Sequence, residues 1–517
     1  MKMRIKKAVE TFALSRFKSS LGMVAAVATM AAQAADKPNF VYIMCDDLGY
    51  GDIQCLNPER GKIATPQVDA LAKNGMTFTD AHSASAVCTP SRYALLTGRY
   101  SWRTKLQAGV FSSNKGGHDS LIKEDILTVP QLLKQAGYTT AAVGKWHLGI
   151  RYEDAEGNAV RTADDRTTFS LGVPVGTIIP NGPTSRGFDY FYGFHHAKSM
   201  DTLIENNKVV EETSHAKVLD LCADKAVSYL ADRGSDKETP FFLYVALGAP
   251  HSPIVPSDVW QEKGISPYAD FVMHTDAVAG RIIQAVDDNG LRENTIVVFT
   301  ADNGCSAAPA NSSKLESEFG HYSSGPFRGY KRHIWEGGHR VPFIVRWPAK
   351  VAAGSTSSDL IGLNDLMATC AEITGVAMPA GAGPDSISML PSLTGGHSSR
   401  QDLIHHSSSG RFAIRKGKWK LALCAYDGKS AHPDAGAPEF QLYDMEADFK
   451  EENNVVSQNP EVVKQLVDLI EKQITSGRST AGEPLTNDIE VVIYKERAEN
   501  IPVKKAKKSK KSKAEKE

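Results

Sequence analysis

Six short stretches of the chain carry residue types able to do chemistry at one point in space. "CDD" (Cys45 to Asp47) and "TADN" (Thr300 to Asn303) offer Asp46, Asp47, Asp302 and Asn303 as oxygen ligands. Hard cations such as Ca²⁺ and Mg²⁺ take carboxylate and amide oxygens, whereas zinc prefers His and Cys. One adjacent Asp pair says little; paired with a second acid and amide, it points to a divalent site. Lys145, His147, His251, Arg92 and Lys331 add cations and proton-transfer groups. Beside a metal they suit a tetrahedral anion, sulfate or phosphate, whose developing charge needs preorganised positive partners.

The sixth stretch is "SAVCTPSRYALLTGRY", in which Cys88 stands directly before Thr-Pro-Ser-Arg. Thr89 as N-cap and Pro90 at the first helical position predict a helix start, and a thiol there feels a dipole that favours anions and lowers its pKa. A core thiol, a metal ligand, a nucleophile and a precursor for chemical conversion are all open to Cys88. A core role fits poorly beside Thr, Pro, Ser and Arg, and a sulfur is out of place among oxygen ligands.

The elements that would position these groups have an α/β pattern, with apolar strand-like runs alternating with amphipathic helical segments. "PNFVYIMCDD" reads as a buried strand ending in two acids, followed by the helix "TPQVDALAKNG" with Thr65 as N-cap, Pro66 at its first position and Gly75 as its stop. "TVPQLLKQAGYTTAAVGKWHLG" reads as a helix stopped at Gly137, then a strand running into Lys145 and His147. "PFFLYVALGAPHSP" runs into His251, and "NTIVVFTADNG" into Asp302 and Asn303. In an open, mostly parallel sheet, ligands bind outside the carboxyl ends of the strands. Four runs that each end in capable polar residues therefore predict one site built from distant sequence.

A second, small α+β unit is expected after the Gly/Ser-rich "LTGGHSSRQD". "FAIRKGKWKLAL" and "FQLYDM" read as short antiparallel strands, and "PEVVKQLVDLIEKQI" as an amphipathic helix. The expected division is a signal peptide over 1–34, a catalytic domain over 36–400, a C-terminal unit over 401–497 and a disordered tail over 498–517.

The ends differ from the body. Residues 1–34 carry six Lys/Arg and one Glu, then "LGMVAAVATMAA" and the small-residue site "AQA", the features of a cleaved secretory leader. Its apolar run is shorter than the roughly 18 to 20 residues that span a bilayer, so no membrane span is expected after cleavage near Ala34. The last fifteen residues hold eight Lys and two Glu, a solvated tail. With leader and tail at +5 and +6 and the whole chain at −1, the body carries about −12, which disfavours nucleic acid as a partner. The leader predicts a periplasmic or secreted protein, while seven cysteines in 517 residues leave one unpaired even if the others form disulfides.

"CTPSRYALLTG" resembles the C-x-P-S-R-x-x-x-L-T-G signature of type I sulfatases, the arylsulfatase and N-acetylgalactosamine-6-sulfatase group, and "GYTTAAVGKWHLG" resembles their second signature. "CDDLGYGD", "APHSP", "FTADNG" and "RGYKRHIWEGGHRVP" follow the family's order over residues 38 to 350, and "FQLYDMEAD" echoes its C-terminal unit. The resemblance implies an alkaline-phosphatase-like sandwich: a large mixed, mostly parallel sheet flanked by helices, with a small antiparallel sheet beyond it. It implies that Cys88 is converted to formylglycine by a formylglycine-generating or anaerobic sulfatase-maturing enzyme. An oxygen of the hydrated aldehyde then stands beside the metal in place of sulfur.

By the same resemblance one Ca²⁺, or Mg²⁺, is held by Asp46, Asp47, Asp302, Asn303 and residue 88, and Arg92 steadies the diol. The implied mechanism is covalent and has two steps. A diol oxygen, helped by Asp302, attacks sulfur; His251 and Lys331 serve the leaving oxygen; Lys145 binds sulfate; His147 draws a proton so that sulfate is eliminated. The exported leader and the roomy loop region favour a sulfated carbohydrate over a small aryl ester as substrate. The long segment between the second signature and His251 is expected to form part of the substrate wall, with Tyr192, His195, His196 and Asp201 as candidate contacts.

Two other readings compete. A phosphoester or phosphonate hydrolase of the same superfamily would commonly use Ser, Thr or an unmodified Cys and two zinc ions. A non-catalytic glycan-binding relative would not need the nucleophile.

Overall fold

The computed structural model describes residues 37–111, 119–160, 172–307, 312–426 and 438–495. The expected leader and Lys-rich tail lie outside the described residues, as does the 161–171 part of the expected substrate wall. In chain order the strands are β1 (Asn39–Cys45), β2 (Met76–Phe78), β3 (Ala81–His82), β4 (Thr139–Lys145), β5 (Tyr190–Phe194), β6 (Thr202–Glu205), β7 (Lys208–Glu212) and β8 (Phe241–Ala246). They continue with β9 (Thr295–Ala301), β10 (Phe343–Arg346), β11 (Ser355–Ser357), β12 (Ile361–Gly362), β13 (Asp402–His406), β14 (Phe412–Lys416), β15 (Trp419–Ala422) and β16 (Gln441–Asp444).

Ten strands form one mixed sheet in the order β11-β2-β10-β9-β1-β8-β4-β5-β6-β7. Its middle five, β9-β1-β8-β4-β5, are all parallel. Every residue of β1, β8 and β9 is buried, which is why "NFVYIMC", "FFLYVA" and "TIVVFTA" are continuous apolar runs and do not alternate with polar residues. Helices flank the sheet in two groups. Pro66–Lys73, His215–Gly234 and Pro267–Asp288 pack on one another, as do Cys88–Thr97, Val129–Gln135 and Leu366–Thr374.

Because neighbouring parallel strands end on the same edge, their following residues converge. Asp46 follows β1, Asp302 follows β9, Lys145 closes β4, His195 follows β5, and His251 lies five residues beyond β8. Gly144 sharpens the end of β4: at φ 105° a Cβ there would lie 2.1 Å from the Ala246 carbonyl oxygen. Only glycine allows β4 to bend against β8 immediately before Lys145.

A separate antiparallel sheet, β13-β14-β15-β16, carries the Pro460–Thr475 helix on an apolar face that includes Leu466, Ile470 and Ile474. Its link to the main body has an apolar part, where Tyr100 and Trp102 pack with Leu403 and Phe412, and a buried polar part. Lys420 of β15 lies 2.9 Å from Glu336 and 2.7 Å from Glu451, all three side chains fully enclosed. Ser408 donates its N–H to the Arg332 carbonyl at 3.0 Å, so this sheet braces the loop that carries Lys331. Among the described residues no helix is long and apolar enough to cross a membrane.

Candidate active site

Cys88 opens the helix Cys88–Thr97, whose N-cap is Val87. This corrects the expected start at Thr89 and Pro90. The Ser91 hydroxyl donates to the carbonyls of Ser85 and Val87 at 2.9 and 3.0 Å, and the Thr89 hydroxyl, expected as a cap, instead accepts the Phe111 N–H at 3.2 Å. The expected lowering of the Cys88 pKa is also corrected. Burial pushes the thiol above its ordinary value, more than Lys145 and Lys331 lower it. A plain thiolate nucleophile is therefore disfavoured in this pocket. None of the seven cysteines is joined in a disulfide.

Around Cys88 the expected residues come together. Ligand atoms of Asp46, Cys88 and Asp302 lie within 4.8 Å of one another, as do those of Asp46, Asp47 and His251. Asp302 accepts the Arg92 Nε–H at 2.9 Å and the Asp47 N–H at 3.2 Å. Arg92 also donates to the Lys145 carbonyl at 3.2 Å. Asp47 accepts from Asn303 Nδ2 at 2.8 Å and from Lys331 Nζ at 2.6 Å, and Lys145 Nζ lies 2.5 Å from Asp46 Oδ2. Asp47 and His147 hold this geometry at φ 63° and 57°. Such left-handed non-glycine backbones cost on the order of 1–3 kcal/mol each and persist where the surroundings over-determine them.

Burial shapes the charges. It pushes the Asp302 carboxyl up to about 7 against the pull of Arg92. Burial acts the same way on Asp46, but Lys145, His251, Arg92 and Lys331 together hold that carboxyl well below the usual range. Lys331 is held above its ordinary value because Asp47, Cys88 and Asp46 outweigh its desolvation. Burial, with Lys145 and His195, holds His147 neutral; burial and Lys331 bring His251 down to about 4.

The donor set fits a hard cation. Asp46 Oδ1 and Asn303 Oδ1 are buried oxygens with no hydrogen-bond partner among the described residues, and with Asp47 and Asp302 they form an all-oxygen protein ligand set. An orphaned buried oxygen is costly, and a cation between the strand ends would satisfy both.

The two histidines are set differently. His147 Nε2 lies 2.7 Å from the Phe111 carbonyl, and Nδ1 has no partner among the described residues. His251 Nδ1 lies 2.6 Å from the Ser252 carbonyl, so Nε2 faces Asp47 at 3.6 Å. Of the four expected substrate contacts, His195 and His196 join this group, their rings 6.0 and 4.5 Å from His147. Tyr192 does not. Its ring is buried in β5 beneath Lys225, 4.6 Å away. Asp201 faces His215 at 3.6 Å, at the start of the His215–Gly234 helix. Phe111, Lys420 and Glu451 lie outside the motifs: Phe111 bonds His147, while Lys420 and Glu451 pair around Glu336 of the Lys331 motif. Lys420 is placed by a strand of the second sheet, and no local spacing announces that contact.

Known proteins match this arrangement along most of the chain. The Sulfatase family model covers residues 38–376, and the model "N-sulphoglucosamine sulphohydrolase, C-terminal" covers residues 325–479. An N-acetylgalactosamine-6-O-sulfatase of Bacteroides thetaiotaomicron is 33% identical over 494 residues, covering 85% of this chain and 93% of that protein. Human arylsulfatase A is 32% identical over 472 residues, covering 84% and 87%. A solved structure described under metabolism of multiple glycosaminoglycans by Bacteroides thetaiotaomicron aligns with a TM-score of 0.74 at 31% identity, over 84% of this chain and 99% of that one. The structure of Ps i-CgsB in complex with k-i-k-neocarrahexaose aligns with a TM-score of 0.66 at 27% identity, over 87% and 95%.

Proposed function

The chain belongs to the sulfatase family and is a sulfuric ester hydrolase; from that premise we propose that it removes sulfate from a sulfated carbohydrate, using formylglycine made from Cys88 and one Ca²⁺ or Mg²⁺. The observation that carries this reading is the set Asp46, Cys88 and Asp302 within 4.8 Å, with two unpartnered oxygens beside it. Asp46, Asp47, Asp302 and Asn303 would hold the cation. Bound there, the cation would polarise sulfate oxygens, and a hydrated aldehyde at position 88 would supply the oxygen nucleophile.

The chain's own groups divide the rest. Arg92 is fixed by Asp302 and the Lys145 carbonyl, so its guanidinium is preorganised beside residue 88. Lys145 and Lys331 place two ammonium groups where the transferring sulfuryl group of a sulfate ester would accumulate charge. Lys331 and His251 stand together on Asp47 and serve the departing sugar oxygen. His147, whose Nδ1 has no partner among the described residues, takes the proton whose removal releases sulfate.

The family of relatives supports a glycan substrate, and the N-acetylgalactosamine-6-O-sulfatase relative supports a 6-sulfated hexosamine within that class. Activity requires a formylglycine-generating or anaerobic sulfatase-maturing partner. The leader read in residues 1–34 supports export to the periplasm or beyond. Side-by-side kinetics on 4-methylumbelliferyl sulfate, its phosphate analogue and 6-sulfated N-acetylgalactosamine, with metal analysis, test the reading. Faster sulfate release with one calcium or magnesium supports it; faster phosphate release with two zincs would replace it with the phosphoester hydrolase.

A further inference from the structure

His196 stands between the two histidines already given roles. Its ring centre is 4.5 Å from that of His147 and 6.0 Å from that of His251, edge-to-face in both cases. It lies where β5 gives way to the short turn Ala197–Ser199, and it caps that turn with its own side chain: Nδ1 accepts the Lys198 N–H at 3.0 Å. The backbone thereby fixes the tautomer. With Nδ1 committed as an acceptor, Nε2 must carry the hydrogen of the neutral ring. That Nε2–H meets no protein acceptor among the described residues, and the residue keeps 7% of its surface open whereas His147 keeps none.

On the sulfatase reading above, we infer that His196 is a substrate-binding residue whose Nε2–H donates to a non-bridging oxygen of the bound sulfate. Sulfate oxygens only accept hydrogen bonds, so a donor that cannot reverse its direction suits them. Lys145, Lys331 and Arg92 already supply the positive charge. A neutral donor between His147 and His251 adds direction without adding charge, and fixes which sulfate oxygen faces which histidine. The edge-to-face packing and the Lys198 bond hold the ring before substrate arrives, so little ordering is lost on binding.

The test uses the full chain, calcium-loaded, with two readouts: the Kd of inorganic sulfate by titration calorimetry and kcat/KM on 4-methylumbelliferyl sulfate. His196→Asn can keep an acceptor near Lys198 N–H but loses the far donor, while His196→Gln carries an amide donor toward the Nε2 position. A hydrogen bond to a charged group is worth roughly 10- to 100-fold. His196→Asn should weaken sulfate binding and lower kcat/KM by about that factor, and His196→Gln should recover most of both. If His196→Asn fails to fold, His196→Phe takes its place in the comparison. A folded Asn or Phe variant with the wild-type sulfate Kd overturns the assignment, as does a Gln variant as impaired as Asn. Wild type that turns over sulfate esters beside an unaffected Asn variant sinks this inference alone. Wild type that binds sulfate through His196 without turning over any sulfate ester sinks the hydrolase reading and leaves this one standing.

Discussion

Lys331 Nζ lies 2.6 Å from Asp47 Oδ2, although 284 residues separate the two in sequence. The contact sets the proposed leaving-group acid beside a proposed cation ligand, and His251 faces the same carboxylate at 3.6 Å. In the proposed mechanism, metal holding and leaving-group protonation would meet at one side chain, Asp47.

That sharing predicts a leaving-group effect. Lys331→Ala should lower kcat on a 6-sulfated sugar by about 100-fold or more, in the range of a lost general acid. The loss on 4-nitrophenyl sulfate should be smaller, because nitrophenolate departs without a proton. Equal losses on both substrates would remove Lys331 from that role.

Chelation should abolish turnover, and Ca²⁺ or Mg²⁺ should restore it where Zn²⁺ does not, since the protein ligands are all oxygens. Asp46→Asn should weaken calcium binding by about tenfold or more, a change of about 1.4 kcal/mol, read by calorimetry. Unchanged calcium affinity in that variant would place the cation elsewhere.

The Lys420 network makes a stability prediction. Lys420→Met leaves Glu336 and Glu451 enclosed without their shared cation, and breaking a buried pair from one side costs about 3–5 kcal/mol. Chemical denaturation should show a loss of that order. A loss below about 1 kcal/mol would mean that the pair behaves as an exposed one.

Acid should weaken the junction between the sheets. Burial holds His406 at about 4, below its ordinary 6.5. Between those values the unfolded chain takes up a proton that the folded chain refuses, so stability is full above about 6.5 and falls as pH drops toward 4. This residue alone accounts for about 3 kcal/mol across that window. Buried His82, His339 and His405 are shifted in the same direction. His406→Gln should flatten the fall in melting temperature with acid; an unchanged pH slope would contradict the assignment.

Much of the site was legible because strand ends are legible. Asp46, Lys145 and Asp302 each follow an apolar run, and parallel order brings such ends to one edge. The start of the Cys88 helix differs from the expectation because Thr89 and Pro90 are common at helix starts, while the Thr89 hydroxyl is taken by the distant Phe111 N–H, a contact that spacing does not reveal. The thiol shift was misread for a different reason: dipole and cations can be inferred locally, but complete burial cannot. Tyr192 looked available because strand alternation alone does not say which face a helix covers. His196 is a candidate contact from the sequence, but its fixed tautomer follows only from the Lys198 N–H bond, and Lys420 is seen only where the second sheet packs onto Glu336.

The most direct measurement is the mass of the tryptic peptide Asn74 to Arg92 from protein made in its native host, taken alongside turnover of a sulfate ester by the same sample. The account predicts formylglycine at position 88 in the active protein and loss of turnover in Cys88→Ala. An intact thiol at position 88 in protein that still hydrolyses sulfate esters would contradict it.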